Sequence, residues 1–223
     1  MKRLLLLLAL STPFLANAQP ASHISWTSAM LNLVKKGNAE KGQQLAESCK
    51  SCHGDQGQGV KAETQDGDTI PAVPALAGQL ATYTFKQLRD YANGDRSNDT
   101  MIGIAKNLSE QDAADVAAWF GSLPRTIGTG AAPVQTRASK MVELGDGKRI
   151  LPPCFTCHGS NGQGEKMDIP ALAGQQADYF ANTLLAYKKT ERHNDIYSRM
   201  RLIAQQLSEE EIKELAVYYQ QLK

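Results

Sequence analysis

The chain has four cysteines, and all of them fall in two copies of one short pattern. Cys49-Lys50-Ser51-Cys52-His53 and Cys154-Phe155-Thr156-Cys157-His158 both read Cys-x-x-Cys-His, the attachment sequence for a c-type haem. The spacing suits that chemistry. Two thiols three positions apart can each form a thioether to a haem vinyl group, and the adjacent histidine then lies under the iron as its proximal ligand. Cys49, Cys52, Cys154 and Cys157 are thus the expected covalent anchors of two haem c groups, with His53 and His158 as axial ligands.

Three other uses of these cysteines fit less well. Four thiolates make a tetrahedral zinc site, but zinc does not need a histidine directly after each pair. A thioredoxin-like redox pair belongs beside a βαβ pattern, and neither motif has one. Two short disulfide loops, each ending in histidine, would be a coincidence.

A haem held by one histidine has a sixth position to fill. Thioether sulfur is soft, favours Fe(II) and raises the reduction potential, so a methionine there suits an electron carrier. Of Met1, Met30, Met101, Met141, Met167 and Met200, only Met101 and Met200 occupy equivalent places in the repeat described below. They are the expected distal ligands, each in a loop or short helix before a capped helix. A methionine near a haem also simply fills apolar space, which is the reading for Met167. His193, seven residues before Met200, and His23, near the N-terminus, have no repeat counterparts and read as surface residues. A ligating imidazole normally donates its other N–H to a fixed acceptor, and the carbonyls of Pro74 and Pro170 are placed for that role.

The elements that must hold these groups come in two copies. Pro74-Ala75-Leu76-Ala77-Gly78-Gln79 returns as Pro170-Ala171-Leu172-Ala173-Gly174-Gln175. Gly42 and Gly147 each lie seven residues before a motif, and Met101 and Met200 each lie seven residues before Leu-Ser. The chain is an internal duplication. Ser109-Glu110-Gln111-Asp112 and Ser208-Glu209-Glu210-Glu211 open final helices with an acidic residue three positions after a capping serine. Val116, Trp119, Phe120 and Leu123, and Ile212, Leu215, Tyr218 and Tyr219, then recur at helical spacing. No segment sustains a period of two, so the fold class is all-α. Trp119 and Tyr218 are expected to pack on the glycine faces of Gly42 and Gly147, where a missing side chain lets two helices approach. The longer stretch between His53 and Pro74 reads as a surface loop.

Lys2 and Arg3, an apolar run from Leu4 to Leu10 and Ala16-Asn17-Ala18 form a secretory signal peptide over 1–18, cleaved after Ala18 and too short to span a bilayer. Bacterial c-type haem is attached outside the cytoplasmic membrane, which fits a periplasmic location. An N-terminal extension over 19–36, a first domain over 37–123, a Gly/Pro/Thr/Ala linker over 124–140 and a second domain over 141–223 follow. Loss of Lys2 and Arg3 lowers the net charge from +1 to −1. Residues 19–123 carry 9 Lys/Arg against 12 Asp/Glu, and residues 124–223 carry 13 against 11. The asymmetry is modest and gives no sign of nucleic-acid binding.

Taken together, residues 37–223 resemble the di-haem class I cytochromes c, most closely the cytochrome c4 family. The resemblance rests on the paired Cys-x-x-Cys-His, the paired Pro-x-Leu-Ala-Gly-Gln and the methionine before Leu-Ser. It implies two tandem cytochrome c domains facing each other about a pseudo-twofold axis. It also implies a periplasmic carrier passing single electrons from a quinol-oxidising complex or dehydrogenase to a terminal oxidase. A di-haem peroxidase needs an open sixth position, against which the matched methionines argue. The electron-accepting subunit of a periplasmic dehydrogenase is the other reading. The extension over 19–36, with Ile24, Trp26, Met30, Leu31, Leu33 and Val34, goes beyond the family pattern: it is either an amphipathic helix that touches membrane or partner, or a cap on the first domain.

Overall fold

The computed structural model describes residues 21–125, 136–165 and 167–222, so the expected signal peptide and most of the expected linker lie outside the described residues. The first half runs α1 (Ser28–Lys35), α2 (Ala39–Leu45), α3 (Glu47–His53), β1 (Glu63–Gln65), β2 (Asp68–Ile70), α4 (Ala81–Asn93), α5 (Asp99–Ala105) and α6 (Glu110–Ser122). The second runs α7 (Arg137–Leu144), α8 (Phe155–His158), α9 (Ala177–Lys188), α10 (Arg199–Gln206) and α11 (Glu209–Gln221). The all-α reading holds, with two tandem domains. Two three-residue strands are the exception: a fully exposed antiparallel hairpin within the loop after His53. It turns at Asp66-Gly67, both at positive φ, as a tight hairpin requires.

Capping sets the helix starts. Asn98 accepts from the Met101 amide and so begins α5 at a fixed place. Ser109 and Ser208 each form a full capping box, with Asp112 and Glu211 returning the bond. Behind the caps each half builds its own core. Phe85, Val116 and Phe120 centre the first, and Phe180, Ile212, Leu215 and Tyr219 the second. Phe180 stacks on Tyr219 at 5.4 Å between ring centroids.

Gly42 behaves as expected: a Cβ there would lie 2.0 Å from the Asp115 carbonyl oxygen and 3.0 Å from Trp119 Cβ, so α2 lies directly on α6. Gly147 does not. It sits in an exposed one-turn 3₁₀ helix, Gly147–Arg149, with nothing near its absent side chain. In the second half the helix packed on α11 ends at Leu144, and the Asp146–Leu151 bridge separates it from the motif. Tyr218 is buried beside Ala138 of α7, not against Gly147.

The segment before α2 caps the first domain. Ile24 and Val34 are buried in its core, and Trp26, Met30 and Leu33 pack against the same cluster. Trp26 lies 6.4 Å from Phe85 between centroids, and Ser22 and His23 bond Asp90 and Asp95. The apolar side of α1 therefore faces protein. Trp26→Ala is expected to destabilise the first domain by about 2–3 kcal/mol, below a fully buried tryptophan because the ring is half-exposed. Denaturant unfolding followed at the first haem checks this; a change under 0.5 kcal/mol would mean the cap is only loosely attached.

Candidate functional site

Each Cys-x-x-Cys-His motif ends a short helix, α3 or α8, so its second cysteine and histidine have helical placement. Gly54 and Gly159 then stop the helices at φ 84° and 82°. His53 and His158 are buried at 6% and 8% exposure, while the cysteines are half-buried or, at Cys52, exposed. No disulfide joins any two of the four cysteines. His53 Nδ1–H donates to the Pro74 carbonyl at 2.9 Å, and His158 Nδ1–H donates to that of Pro170 at 2.9 Å. This is the orienting bond expected from the sequence, and it leaves Nε2 as the nitrogen free to meet a metal.

Burial lowers the proton affinity of both imidazoles, against a smaller raising contribution from the proline carbonyls and, at His158, a further lowering by Arg199. The neutral ring is the form that ligates iron. Burial also raises the Cys49 thiol and pushes Cys154 up to about 11. A structural zinc needs four converging ligands, and among the described residues no three His, Cys, Asp or Glu side chains converge on a metal-sized site.

Met101 in α5 and Met200 in α10 are both half-buried and pack against the edge of the core of their own domain. Two cysteines three positions apart, a fixed neutral imidazole and a half-buried thioether in each domain form a donor set that fits covalent haem c. His193 is exposed, and His23 bonds Asp95 at 2.6 Å. Met167, 39% exposed, gives its carbonyl to the Thr82 hydroxyl at 2.6 Å.

The resemblance implied domains facing each other about a pseudo-twofold axis, but the residues that join them were not read from the sequence. Gln79 Nε2–H donates to the Ala171 carbonyl at 3.1 Å, and the Ala171 amide donates back to Gln79 Oε1 at 2.9 Å. Gln175 does the same with Ala75, at 3.1 and 2.9 Å. These four bonds obey twofold symmetry. Behind them, the Gly78 and Gly174 amides donate to the Phe120 and Tyr219 carbonyls, each at 2.8 Å. A single six-residue segment thus bonds the motif histidine of its own domain at one end and the opposite domain at the other. A signal was available: Tyr83 and Tyr179, Tyr91 and Tyr187, and Arg96 and Arg192 repeat at the same 96-residue offset as Pro74 and Pro170.

The Cytochrome c family pattern matches residues 39–124 and 145–223. The chain belongs to the cytochrome c family. It is similar to the cytochrome c4 of Pseudomonas aeruginosa, with 34% identity over 189 residues, 83% of this chain and 89% of the relative. It is also similar to a protein of Stutzerimonas stutzeri named thiosulfate dehydrogenase electron acceptor, with 33% identity covering 86% of this chain and 90% of the relative. The crystal structure of reduced cytochrome c4 from Pseudomonas stutzeri superposes with a TM-score of 0.75 at 33% identity, covering 84% of this chain and 100% of that one. This cytochrome is a di-haem electron-transfer protein with two covalently bound haem c groups, which the two Cys-x-x-Cys-His regions fit, and it is not an enzyme.

Proposed function

We propose that this cytochrome works in the periplasm, passing single electrons from a quinol-oxidising complex or a dehydrogenase to a terminal oxidase or other acceptor. Cys49, Cys52, Cys154 and Cys157 carry the thioether bonds; His53 with Met101, and His158 with Met200, close the two irons. Bound haem supplies one-electron Fe(III)/Fe(II) cycling. The protein supplies fixed ligands. The observation that carries this reading is the matched pair of buried histidines, each locked by a 2.9 Å bond to a proline carbonyl, with a half-buried methionine at the equivalent place in each domain. Ligands held that firmly keep reorganisation small, which suits electron transfer and leaves no site for bond chemistry.

The ferric absorption spectrum of the haem-loaded protein tests the ligand set. Intensity for two methionine-to-iron bands per chain is expected; intensity for one or none would mean an open or differently ligated haem.

A second reading follows from the relatives named thiosulfate dehydrogenase electron acceptor, in Stutzerimonas stutzeri and Thiomonas intermedia. In it the donor is a thiosulfate-oxidising dehydrogenase. Mixing the oxidised cytochrome with such an enzyme and thiosulfate in stopped flow separates the two: reduction within milliseconds favours the dehydrogenase, reduction only by the quinol-oxidising complex excludes it.

A further inference from the structure

Tyr219 is 1% exposed, and its buried hydroxyl has no hydrogen-bond partner among the described residues. Leaving a buried hydroxyl unbonded is costly, so such a group marks a place where an acceptor belongs. The ring around it is firmly held. It stacks on Phe180 at 5.4 Å and meets Tyr218 edge-on at 5.3 Å between centroids, which gives the hydroxyl oxygen a fixed place. The polar side chain beside it is Cys154, packed against the same core cluster. Burial raises the Tyr219 phenol, and Cys154 and Tyr218 add to the rise. Tyr219 in turn counters part of the rise that burial imposes on the Cys154 thiol, as a donor to sulfur does.

The first domain has no such hydroxyl. Phe120 holds the equivalent place there, on three counts. A Cβ on Gly57 would lie 2.8 Å from Phe120 Cε1, and one on Gly162 would lie 3.2 Å from Tyr219 Cε1. The Phe120 and Tyr219 carbonyls accept from the Gly78 and Gly174 amides, each at 2.8 Å. Cys49 packs against the core that contains Phe120, as Cys154 packs against the one that contains Tyr219. The two side chains thus differ by one oxygen atom, and that atom lies beside the first cysteine of the second haem motif only.

We propose that the Tyr219 hydroxyl donates a hydrogen bond to the Cys154 sulfur once that sulfur is a haem thioether, and so sets the second haem's potential apart from the first. In the free thiol the S–H is itself a donor and meets the Met141 carbonyl at 3.9 Å. In thioether formation the S–H adds across a haem vinyl double bond. Sulfur bonds to one carbon and the hydrogen ends on the other, with no oxidant or reductant required. The sulfur then keeps its lone pairs but has no proton, so it can only accept. The unpartnered Tyr219 O–H is the matching donor. The positive end of that O–H dipole, aimed at an atom bonded directly to the macrocycle, favours the added electron of Fe(II). Phe120 supplies no such dipole in the first domain. The inference rests on the thioether proposed at Cys154, and is independent of the redox partners and of the axial methionines.

Tyr219→Phe tests this, because Phe120 shows that the bare ring fits such a place. The haem-loaded protein is titrated spectroelectrochemically, with each haem followed by its own hyperfine-shifted methyl resonances. Resonance Raman spectra report the thioether C–S stretch in water and, after full exchange, in heavy water. The wild-type protein is expected to show a C–S band that shifts in heavy water. In Tyr219→Phe that isotope shift should vanish, and the second haem should move about threefold toward Fe(III), about 28 mV for one electron, while the first haem keeps its potential. A hydroxyl that bonds nothing predicts another pattern: a more stable Tyr219→Phe protein with potential and C–S band unchanged, which would overturn the proposal. So would a potential shift that comes with a moved propionate band in redox-difference infrared spectra and an unmoved C–S band, since the hydroxyl would then serve a propionate. The mass of the denatured wild-type chain separates the two readings. Fewer than two haems retained would refute the thioether at Cys154 and this bond with it, whereas two haems with no heavy-water shift would refute the Tyr219 bond alone.

Discussion

Alanine at Met101 is expected to open the first site and leave the second one closed. Asn98 starts α5 by accepting from the Met101 amide at 3.0 Å, so the position of the side chain is set by the cap as well as by its packing. With Met101 as the proposed distal ligand, removing the thioether takes away the group that favours Fe(II). The first haem's potential should fall by on the order of 0.1 V, a fraction of the roughly 0.8 V that axial ligation spans. The protein should bind CO at one site per chain and lose half of its ferric methionine-to-iron band. The accompanying stability loss is about 2 kcal/mol, because the residue is only half-buried. Met200→Ala should give the mirror result, and His193→Ala should change neither haem. A Met101→Ala protein that keeps its full band and refuses CO would show that another group closes the first iron.

Much of this was legible in the sequence, for identifiable reasons. The haem motifs are local, five residues each, so their chemistry reads without a fold. The Nδ1 bonds to Pro74 and Pro170 were legible because the repeat fixes a proline at the same place in each copy and a ligating imidazole needs an acceptor. The hairpin was missed although Asp66-Gly67 is a strong turn pair, because its strands are fully exposed and carry no apolar alternation. The residues that join the facing domains were missed for a different reason. Gln79 and Gln175 are polar residues buried only by the other domain, and no periodicity within one copy reports that. Only the 96-residue offset shared by Tyr83, Arg96 and their counterparts marks the surface, and it fixes a repeat without saying that the copies face each other.

The glutamine bonds also give the duplication a physical purpose. Pro74 to Gln79 is one rigid segment: its proline carbonyl holds His53, its Gly78 amide bonds the end of α6, and its glutamine bonds the Ala171 backbone. The same holds for Pro170 to Gln175. Each motif histidine is thus two short bonded steps from the opposite domain. Four reciprocal bonds, each about 1 kcal/mol net, keep the orientation of the two domains well defined.

The second large effect is expected at Gly42, and its contrast with Gly147 tests which of the two sequence-equivalent glycines is structurally required. Alanine at Gly42 would place a Cβ 2.0 Å from the Asp115 carbonyl oxygen and 2.5 Å from its carbon. Both are backbone atoms of α6, so no side chain can swing away. α2 and α6 must separate by more than 1 Å, an overpacking penalty on the order of 3 kcal/mol, against which the gain of about 1 kcal/mol from replacing a helical glycine is small. Displacement passes straight to the haem site, because only Ala46, fully buried, separates α2 from the helix that carries Cys49, Cys52 and His53. Gly42→Ala should therefore unfold the first domain at lower denaturant than the second, splitting one transition into two, with the first haem's spectrum changing in the earlier one. Gly147→Ala meets open space and should shift stability by less than about 0.5 kcal/mol. Equal and small effects at both positions would mean that α2 and α6 are not held in this close contact in solution.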